Sequence, residues 1–228
     1  MAQTNMLLLS QIAGYVMGLI LSFCIVVPMS MHQHEFGSDH CLLFSKGVWG
    51  ETGQLTVTWA HEAYCNYVIT VGVFMNVVCC IQIYRLSVFM YKGTDSSFLS
   101  AFMDAVGCTL MCGLAVSSAI IVTLGFMAWC QVIFQRFPSC EDAAGQQIID
   151  IKNISTNGFY IEMGTVQFGA WAAFTTWVGL AVFSTLKVCR YHQLENIQVS
   201  MYRERQRLVN ESGSPSAPRD GRSTPPHE

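Results

Sequence analysis

Charged residues are scarce in this chain, and long stretches of it contain none. Asp, Glu, Lys and Arg make up 12% of its 228 residues, about half of their share in a typical soluble domain. None of them occurs before Glu35. The formal net charge is only −3, which argues against nucleic acid as a partner. Because 52% of the residues are hydrophobic, the composition favours a membrane protein.

Motifs for catalysis and metal binding are also missing from the sequence. It contains no serine-hydrolase elbow, phosphate-binding loop or zinc-protease motif. It has no Cys-x-x-Cys pair, on which four-span membrane oxidoreductases depend. His32, His34 and His40 lie near one another, but a metal site needs further ligands, and no second cluster follows. We therefore predict no enzymatic activity, no cofactor and no metal site.

Four long apolar runs separate the clusters of charge. A helix needs about 20 apolar residues to cross the hydrocarbon core of a bilayer. The runs predict an all-α membrane protein, a bundle of four transmembrane helices, within a membrane domain of residues 1–195. The four predicted spans cover residues 6–29, 65–84, 105–130 and 164–186.

The first run has a competing interpretation as a cleaved signal peptide. A signal peptide begins with positive charge and has a short apolar segment. Here the start holds no Lys or Arg, and the apolar run is too long. Retention as a membrane span is therefore the preferred interpretation.

Positive charge is unevenly distributed between the connecting segments. Nine Lys and Arg residues lie between the second and third runs or after the fourth, and three lie in the other two loops. The positive-inside rule then predicts that both chain ends are cytoplasmic. Asn153-Ile154-Ser155 is a sequon in the second outer loop, which predicts N-glycosylation at Asn153. A plasma membrane and a secretory-pathway membrane both fit this topology.

Four cysteines fall in the outer loops or at their edges. These are Cys41, Cys65, Cys130 and Cys140. On the oxidising side of a membrane, an even number of cysteines predicts disulfides, and four allow three connectivities. We favour the pairs 41–65 and 130–140, because each closes its own loop. A cross-loop pairing stays open.

The first outer loop carries the pattern of a small β-hairpin. Residues 41–49 and 54–59 are rich in β-branched and aromatic side chains, and the turn signal Gly50-Glu51-Thr52-Gly53 lies between them. A disulfide between Cys41 and Cys65 would pin this hairpin. The second outer loop is less regular, with a short helix expected around residues 143–149.

The tail, residues 196–228, divides into two parts. Apolar residues recur near helical spacing at its start, and three arginines lie among them; they are Leu194, Ile197, Met201 and Leu208, with Arg203, Arg205 and Arg207. This pattern fits a basic amphipathic helix on the inner leaflet, or equally a helical extension of the fourth span. From Glu211 onward the composition predicts disorder. Cys189, between Lys187 and Arg190, is a candidate for palmitoylation.

Two features within or beside the apolar runs have competing explanations. Asp104 lies near the start of the third run, and we interpret it as an end marker at the headgroup level rather than a functional acid. Gly14-x-x-x-Gly18 lets a neighbouring helix approach closely. Packing within the bundle and oligomerisation explain this motif equally well.

Several short segments carry a family resemblance. The outer-loop segments are His34–Phe36, Cys41–Trp49, Ala128–Cys130 and Ser139–Glu141; the others are Lys92–Gly93, Ser97–Phe102, Gln167–Trp171 and Leu186–Val188. Together they resemble the transmembrane protein 179 family, from about residue 6 to 195 of this sequence. The resemblance implies four spans and covers the four outer cysteines, but it brings no catalytic residue. The G-L-W-x-x-C signature of claudin outer loops and the C-C-G signature of tetraspanins are absent.

The structured outer loop and the lack of catalytic groups favour a protein that works by contact. The predicted function is a multi-pass membrane scaffold, adhesion protein or auxiliary subunit that uses its extracellular loops. The alternative is an oligomeric channel or transporter subunit, motivated by Asp104 and the Gly14–Gly18 motif. The expected partners are the lipid bilayer and other membrane proteins, with a homo-oligomer as a further option.

Overall fold

The computed structural model describes residues 2–36, 40–50, 55–92, 98–145 and 158–213. Within them lie four long α-helices: α1 (Ala2–Phe36), α2 (Ala63–Lys92), α3 (Phe98–Ile133) and α4 (Phe159–Gly213). Each is long and apolar enough to cross a membrane. Two strands, β1 (Cys41–Trp49) and β2 (Leu55–Ala60), lie between α1 and α2. The predicted four-helix bundle with a hairpin in its first loop is confirmed.

The helices alternate in direction, so the bundle has two distinct ends. The end at which α1 passes into β1 is called the hairpin end. The opposite end, from which α4 continues past its apolar segment, is called the tail end. α1 lies between α2 and α4, and α3 packs against α4 and β1. The buried core runs along these contacts and reaches from the helices into the hairpin.

The two glycines of the Gly14–Gly18 motif face other helices of the same chain. A Cβ atom at Gly14 would lie 2.7 Å from Cδ2 of Leu180 in α4. A Cβ atom at Gly18 would lie 3.1 Å from Sγ of Cys79 in α2. The motif is therefore used for packing within the bundle, where small residues let helices approach closely.

The hairpin pairs its strands in antiparallel register, with Lys46 opposite Thr58 and Val48 opposite Thr56. The strands match their predicted positions to within about one residue, the usual spread of boundary definitions. The register is interrupted between Cys41 and Lys46 by a bulge. Residues 51–54, which hold most of the turn signal, lie outside the described residues.

The connections beyond the hairpin agree with the predictions from the sequence only in part. A short 3₁₀ helix spans Asp142–Gly145, where the sequence predicted a longer helix whose remaining residues lie outside the described part of the chain. At the tail end, α4 continues to Gly213 as one helix. Its residues 192–210 are all exposed. The described part of the tail is thus a helical extension of the fourth span, and its contact with the inner leaflet stays a prediction.

Candidate functional site

The bulge in β1 reshapes the start of the hairpin. Phe44 has a φ angle of 65°, which a non-glycine residue rarely adopts. The Ser45 hydroxyl donates a hydrogen bond of 2.6 Å to the carbonyl of Cys41 and accepts one of 3.2 Å from the backbone N–H of Ala60. This buried side chain therefore replaces part of the strand pairing that the bulge interrupts.

The bulged part of β1 packs directly on α3. Leu42 and Leu43 are 1% exposed, as buried as the centre of the bundle. Gly125 lies beneath them, and a Cβ atom there would come within 2.8 Å of Cβ and 3.2 Å of Cα of Leu43. Only glycine therefore lets the strand approach the helix this closely. The hairpin is joined to the bundle as a packed element rather than a hanging loop.

Trp49 fastens the other end of β1 to the end of α3. Its indole N–H donates a hydrogen bond of 2.9 Å to the carbonyl of Val132. Carbonyls in the last turn of a helix lack an intrahelical partner, and Trp49 satisfies this one. The Trp49 ring also lies 5.9 Å from the Phe137 ring and 5.4 Å from Cζ of Arg136, within the range of a cation–π contact.

Two disulfides close the connections around the hairpin. Cys41 at the start of β1 is bonded to Cys65 in the first turn of α2, with their Cα atoms 5.9 Å apart. Cys130 near the end of α3 is bonded to Cys140, with a Cα separation of 5.5 Å. The predicted pairing of Cys41 with Cys65 is confirmed. In both cases a loop is closed on itself, and the structure has no cross-loop bond among these four cysteines.

The opposite face of the hairpin is open to its surroundings. Lys46 and Val48 on β1 and Thr56 and Thr58 on β2 are all exposed, and they form two cross-strand pairs. Val48 is 74% exposed. We call these four residues the hairpin face. It is a small, mixed surface of one cation, one apolar group and two hydroxyls on a firmly held strand pair.

The three histidines of the first outer segment have separate environments. His32 is 1% exposed, and its Nδ1 lies 3.2 Å from Oε2 of Glu162 in the first turn of α4. His40 stacks against Trp59 at a centroid distance of 5.0 Å, and His34 is exposed. Across the described ranges, no group of three His, Cys, Asp or Glu side chains is arranged to hold a metal ion. His32 instead joins α1 to α4 at the hairpin end.

Asp104 is buried among polar partners from α2. It is 7% exposed, and the Arg85 guanidinium donates to both of its carboxylate oxygens. Gln82 donates a third hydrogen bond of 3.1 Å. Arg85 lies within α2, and the interpretation of Asp104 as an end marker at the headgroup level stays a prediction beside this pairing. The signal for it was the spacing of Gln82 and Arg85, which lie three residues apart on one face of α2.

A second polar group lies deeper in the tail-end half of the bundle. The Tyr15 hydroxyl is 3.3 Å from Sγ of Cys108, which is 3.6 Å from the Ser184 hydroxyl. Gln11 donates to Ser184 at 3.4 Å. All four side chains are buried. They connect α1, α3 and α4.

The two predicted modification sites differ in what the structure shows. Asn153 lies outside the described residues. Cys189 lies on α4 beyond the predicted fourth span, and its thiol is exposed. Glycosylation at Asn153 and palmitoylation at Cys189 both stay predictions.

A bundle of four membrane-crossing helices with a disulfide-pinned hairpin on one end describes a multi-pass membrane protein. The family model described as transmembrane protein 179/179B claudin domain matches residues 7–209. The chain therefore belongs to the transmembrane protein 179/179B family, as the resemblance indicated. No solved structure matches the chain.

The matching family is described as a claudin domain, although this chain lacks the G-L-W-x-x-C signature of claudin outer loops. The hairpin of this chain is held without that motif, by the bond between Trp49 and Val132 and by the pairing of Cys41 with Cys65. The match also extends past residue 195, where the resemblance ended, into the helical tail.

Proposed function

We propose that this protein works by contact, as a scaffold, adhesion protein or auxiliary subunit, and that the hairpin face is its recognition surface. One observation carries the proposal: the hairpin is held to the bundle at three separate points. These are the disulfide at Cys41, the packing of Leu43 on Gly125, and the hydrogen bond from Trp49 to Val132. A surface that is already rigid loses little conformational entropy on binding.

In this proposal the hairpin end lies on the extracellular or lumenal side, and both chain ends are cytoplasmic. The excess of Lys and Arg on the tail-end segments supports this orientation through the positive-inside rule. The two disulfides support it independently, because disulfides persist in the secretory pathway and outside the cell, and are rare in the cytosol.

The proposed partner is the outer part of another membrane protein. The hairpin face offers Val48 as an exposed apolar contact and Lys46 as a cation beside it, and Arg136 extends the positive charge next to Trp49. A partner with an apolar patch bordered by Asp or Glu would complement this surface.

The alternative of an oligomeric channel or transporter subunit loses its two supporting features. Gly14 and Gly18 already pack against other helices of the same chain. Asp104 is neutralised by Arg85 and does not act as a lone acid in a pathway. Neither feature now favours transport, so contact is the function that we adopt.

A pair of equally exposed apolar residues tests the hairpin face. Val48 and Ile161 are both 74% exposed, and Ile161 lies at the same end of the bundle on α4. Tagged Val48→Glu and Ile161→Glu chains are compared with the unmodified chain by cross-linking and purification from native membranes. We expect Val48→Glu to reduce recovery of the partner at least tenfold, roughly the cost of losing a central interface residue. We expect Ile161→Glu to leave recovery unchanged.

Equal recovery with both variants, or equal loss, would rule out the hairpin face as the recognition surface. The absence of any stoichiometric partner with the unmodified chain would rule out the contact function itself. Retention of the Cys41–Cys65 bond in each variant, read from its mobility before and after reduction, verifies that the fold is intact.

A further inference from the structure

The outer face of α2 carries a polar side chain near the middle of an apolar run. Four exposed residues define it: Val73, Val77, Cys80 and Tyr84. Beside them lies Asn76, which is half-buried and close to the middle of the apolar run at residues 65–84. An amide at that depth lies in hydrocarbon, where a polar group finds no water to hydrogen-bond.

Contacts within the bundle satisfy only part of the hydrogen-bonding capacity of the Asn76 amide. Its Nδ2 donates to the Ser22 hydroxyl at 3.2 Å, and Ser22 in turn donates to the carbonyl of Leu19. On its other side, Oδ1 has, among the residues that the structure describes, only the Cys80 thiol, a weak donor, at 3.9 Å. An asparagine amide has two N–H donors and a carbonyl with two lone pairs. One donor and most of the acceptor capacity therefore remain for a group outside the chain.

Four exposed threonines of the described helices do not share this property. Each donates to a backbone carbonyl of its own helix at 2.7–2.9 Å; they are Thr70, Thr109, Thr175 and Thr185. Elsewhere α1 and α3 present large apolar side chains to the bilayer, among them Phe23, Met31, Leu110 and Leu124. Compared with these side chains of the described helices, Asn76 keeps both donor and acceptor capacity for an external partner.

We infer that the outer face of α2 is a helix–helix interface, and that it pairs with α2 of a second copy of this chain. An amide is self-complementary, because its N–H can donate to the carbonyl of an identical amide while the reverse bond forms. Two copies in one membrane share the same orientation, so a twofold axis along the membrane normal brings the two Asn76 side chains together. Interhelical amide bonds of this kind hold transmembrane helices together.

The neighbouring residues fit a close parallel pair. Val73 and Val77 are compact and flank Asn76 on the exposed side. Cys80 lies one turn further toward the tail end, so the twofold axis places the two Cys80 thiols near each other. This interface is on the membrane-embedded surface and is independent of the hairpin face, so either proposal can fail without the other.

Cys80 serves as a built-in reporter of the interface. Native membranes are treated with copper–phenanthroline, which oxidises two adjacent thiols to a disulfide. We expect a covalent dimer with the unmodified chain and with Cys189→Ser, and its loss with Cys80→Ser. A dimer that depends on Cys189 and not on Cys80 would overturn the proposal. A Cys80 adduct with a different protein, and no homodimer, would assign the surface to that protein instead.

A matched pair of bulky substitutions tests the same surface without oxidation. Val77 on α2 is 49% exposed and Val182 on α4 is 53% exposed, so phenylalanine fits at either position without disturbing the core. Association of two differently labelled copies is followed by energy transfer as the protein is diluted in phosphatidylcholine vesicles. We expect Val77→Phe to abolish the transfer and Val182→Phe to leave it unchanged.

The Asn76→Leu variant measures, in the same assay, how much the amide contributes to association. We expect the dissociation constant of the dimer to be about three- to tenfold larger, the range typical of losing one interhelical polar contact. The inference would be overturned if the unmodified chain showed no energy transfer at any protein concentration. It would also be overturned if Val77→Phe and Val182→Phe gave the same energy transfer.

Discussion

At the scale of single residues, the polar side chains inside the bundle are the least expected feature. An uncompensated charge within a membrane protein is expensive, so Asp104 needs the partners that Arg85 and Gln82 supply. His32 and Glu162 form a comparable contact near the opposite end of the bundle. The first pair joins the consecutive helices α2 and α3, and the second joins α1 to α4, the first and last of the four long helices that the structure describes.

The Asp104 pair can be tested by a double-mutant cycle. Replacing either residue by leucine leaves the other charge without its partner, whereas replacing both leaves no unpaired charge. We expect Asp104→Leu and Arg85→Leu each to lower the free energy of unfolding by about 1–3 kcal/mol, between the values for exposed and buried pairs. The double variant should lose clearly less than the sum of the two. Unfolding in detergent, with Lys92→Leu as an exposed control, provides the measurement, and simple additivity would contradict the pairing.

Sequence reasoning succeeded for cysteines and failed for buried polar partners. Cys41 and Cys65 flank one loop, so local chain geometry favours their bond. Arg85 and Asp104 are separated by a helix end, a loop and a helix start, and their contact depends on how α2 and α3 pack. Amino-acid composition does not predict that packing.

At the scale of elements, the docking of β1 on α3 is the contact that orients the hairpin. Leu43 lies against Gly125, and Trp49 is bonded to the last turn of the same helix. The strand therefore follows the end of α3 closely, and the exposed residues of the hairpin face point away from the bundle.

Two glycines of α3 form a matched test of this docking. A side chain at Gly125 would collide with both Cβ and Cα of Leu43, whereas a Cβ atom at Gly113 would meet nothing within 4 Å. We expect Gly125→Leu to destabilise the protein by about 1–3 kcal/mol, the cost of overpacking, and to loosen the hairpin. Reduction of Cys41–Cys65 by dithiothreitol should become faster in Gly125→Leu and stay unchanged in Gly113→Leu. Equal rates would show that the hairpin does not depend on this contact.

The positions of the elements were more predictable than their ends. Apolar runs locate the membrane-crossing part of each helix because burial in hydrocarbon demands them. The continuation of α4 to Gly213 was one of two interpretations that the tail pattern left open, and every side chain from residue 192 to 210 is exposed. The bulge between Cys41 and Lys46 and the positive φ angle of Phe44 were not predicted from the sequence.

At the scale of the whole molecule, the chain is a multi-pass membrane protein of a claudin-like family with two proposed contact surfaces. The hairpin face is proposed to bind a partner outside the membrane. The outer face of α2 is proposed to bind a second copy within it. Together they describe a protein that would present paired hairpins to one partner or a pair of partners.

Orientation in the membrane is the claim on which the proposed function depends most directly. Single cysteines at two exposed positions, Val48→Cys on the hairpin and Gln206→Cys on the tail helix, are placed in a Cys189→Ser chain. A membrane-impermeant maleimide is then applied to intact cells and to cells with a selectively permeabilised plasma membrane. We expect reagent on the cytoplasmic side to label Gln206→Cys and never Val48→Cys. Labelling of both positions from one side, or of Val48→Cys from the cytoplasm, would contradict the proposed orientation.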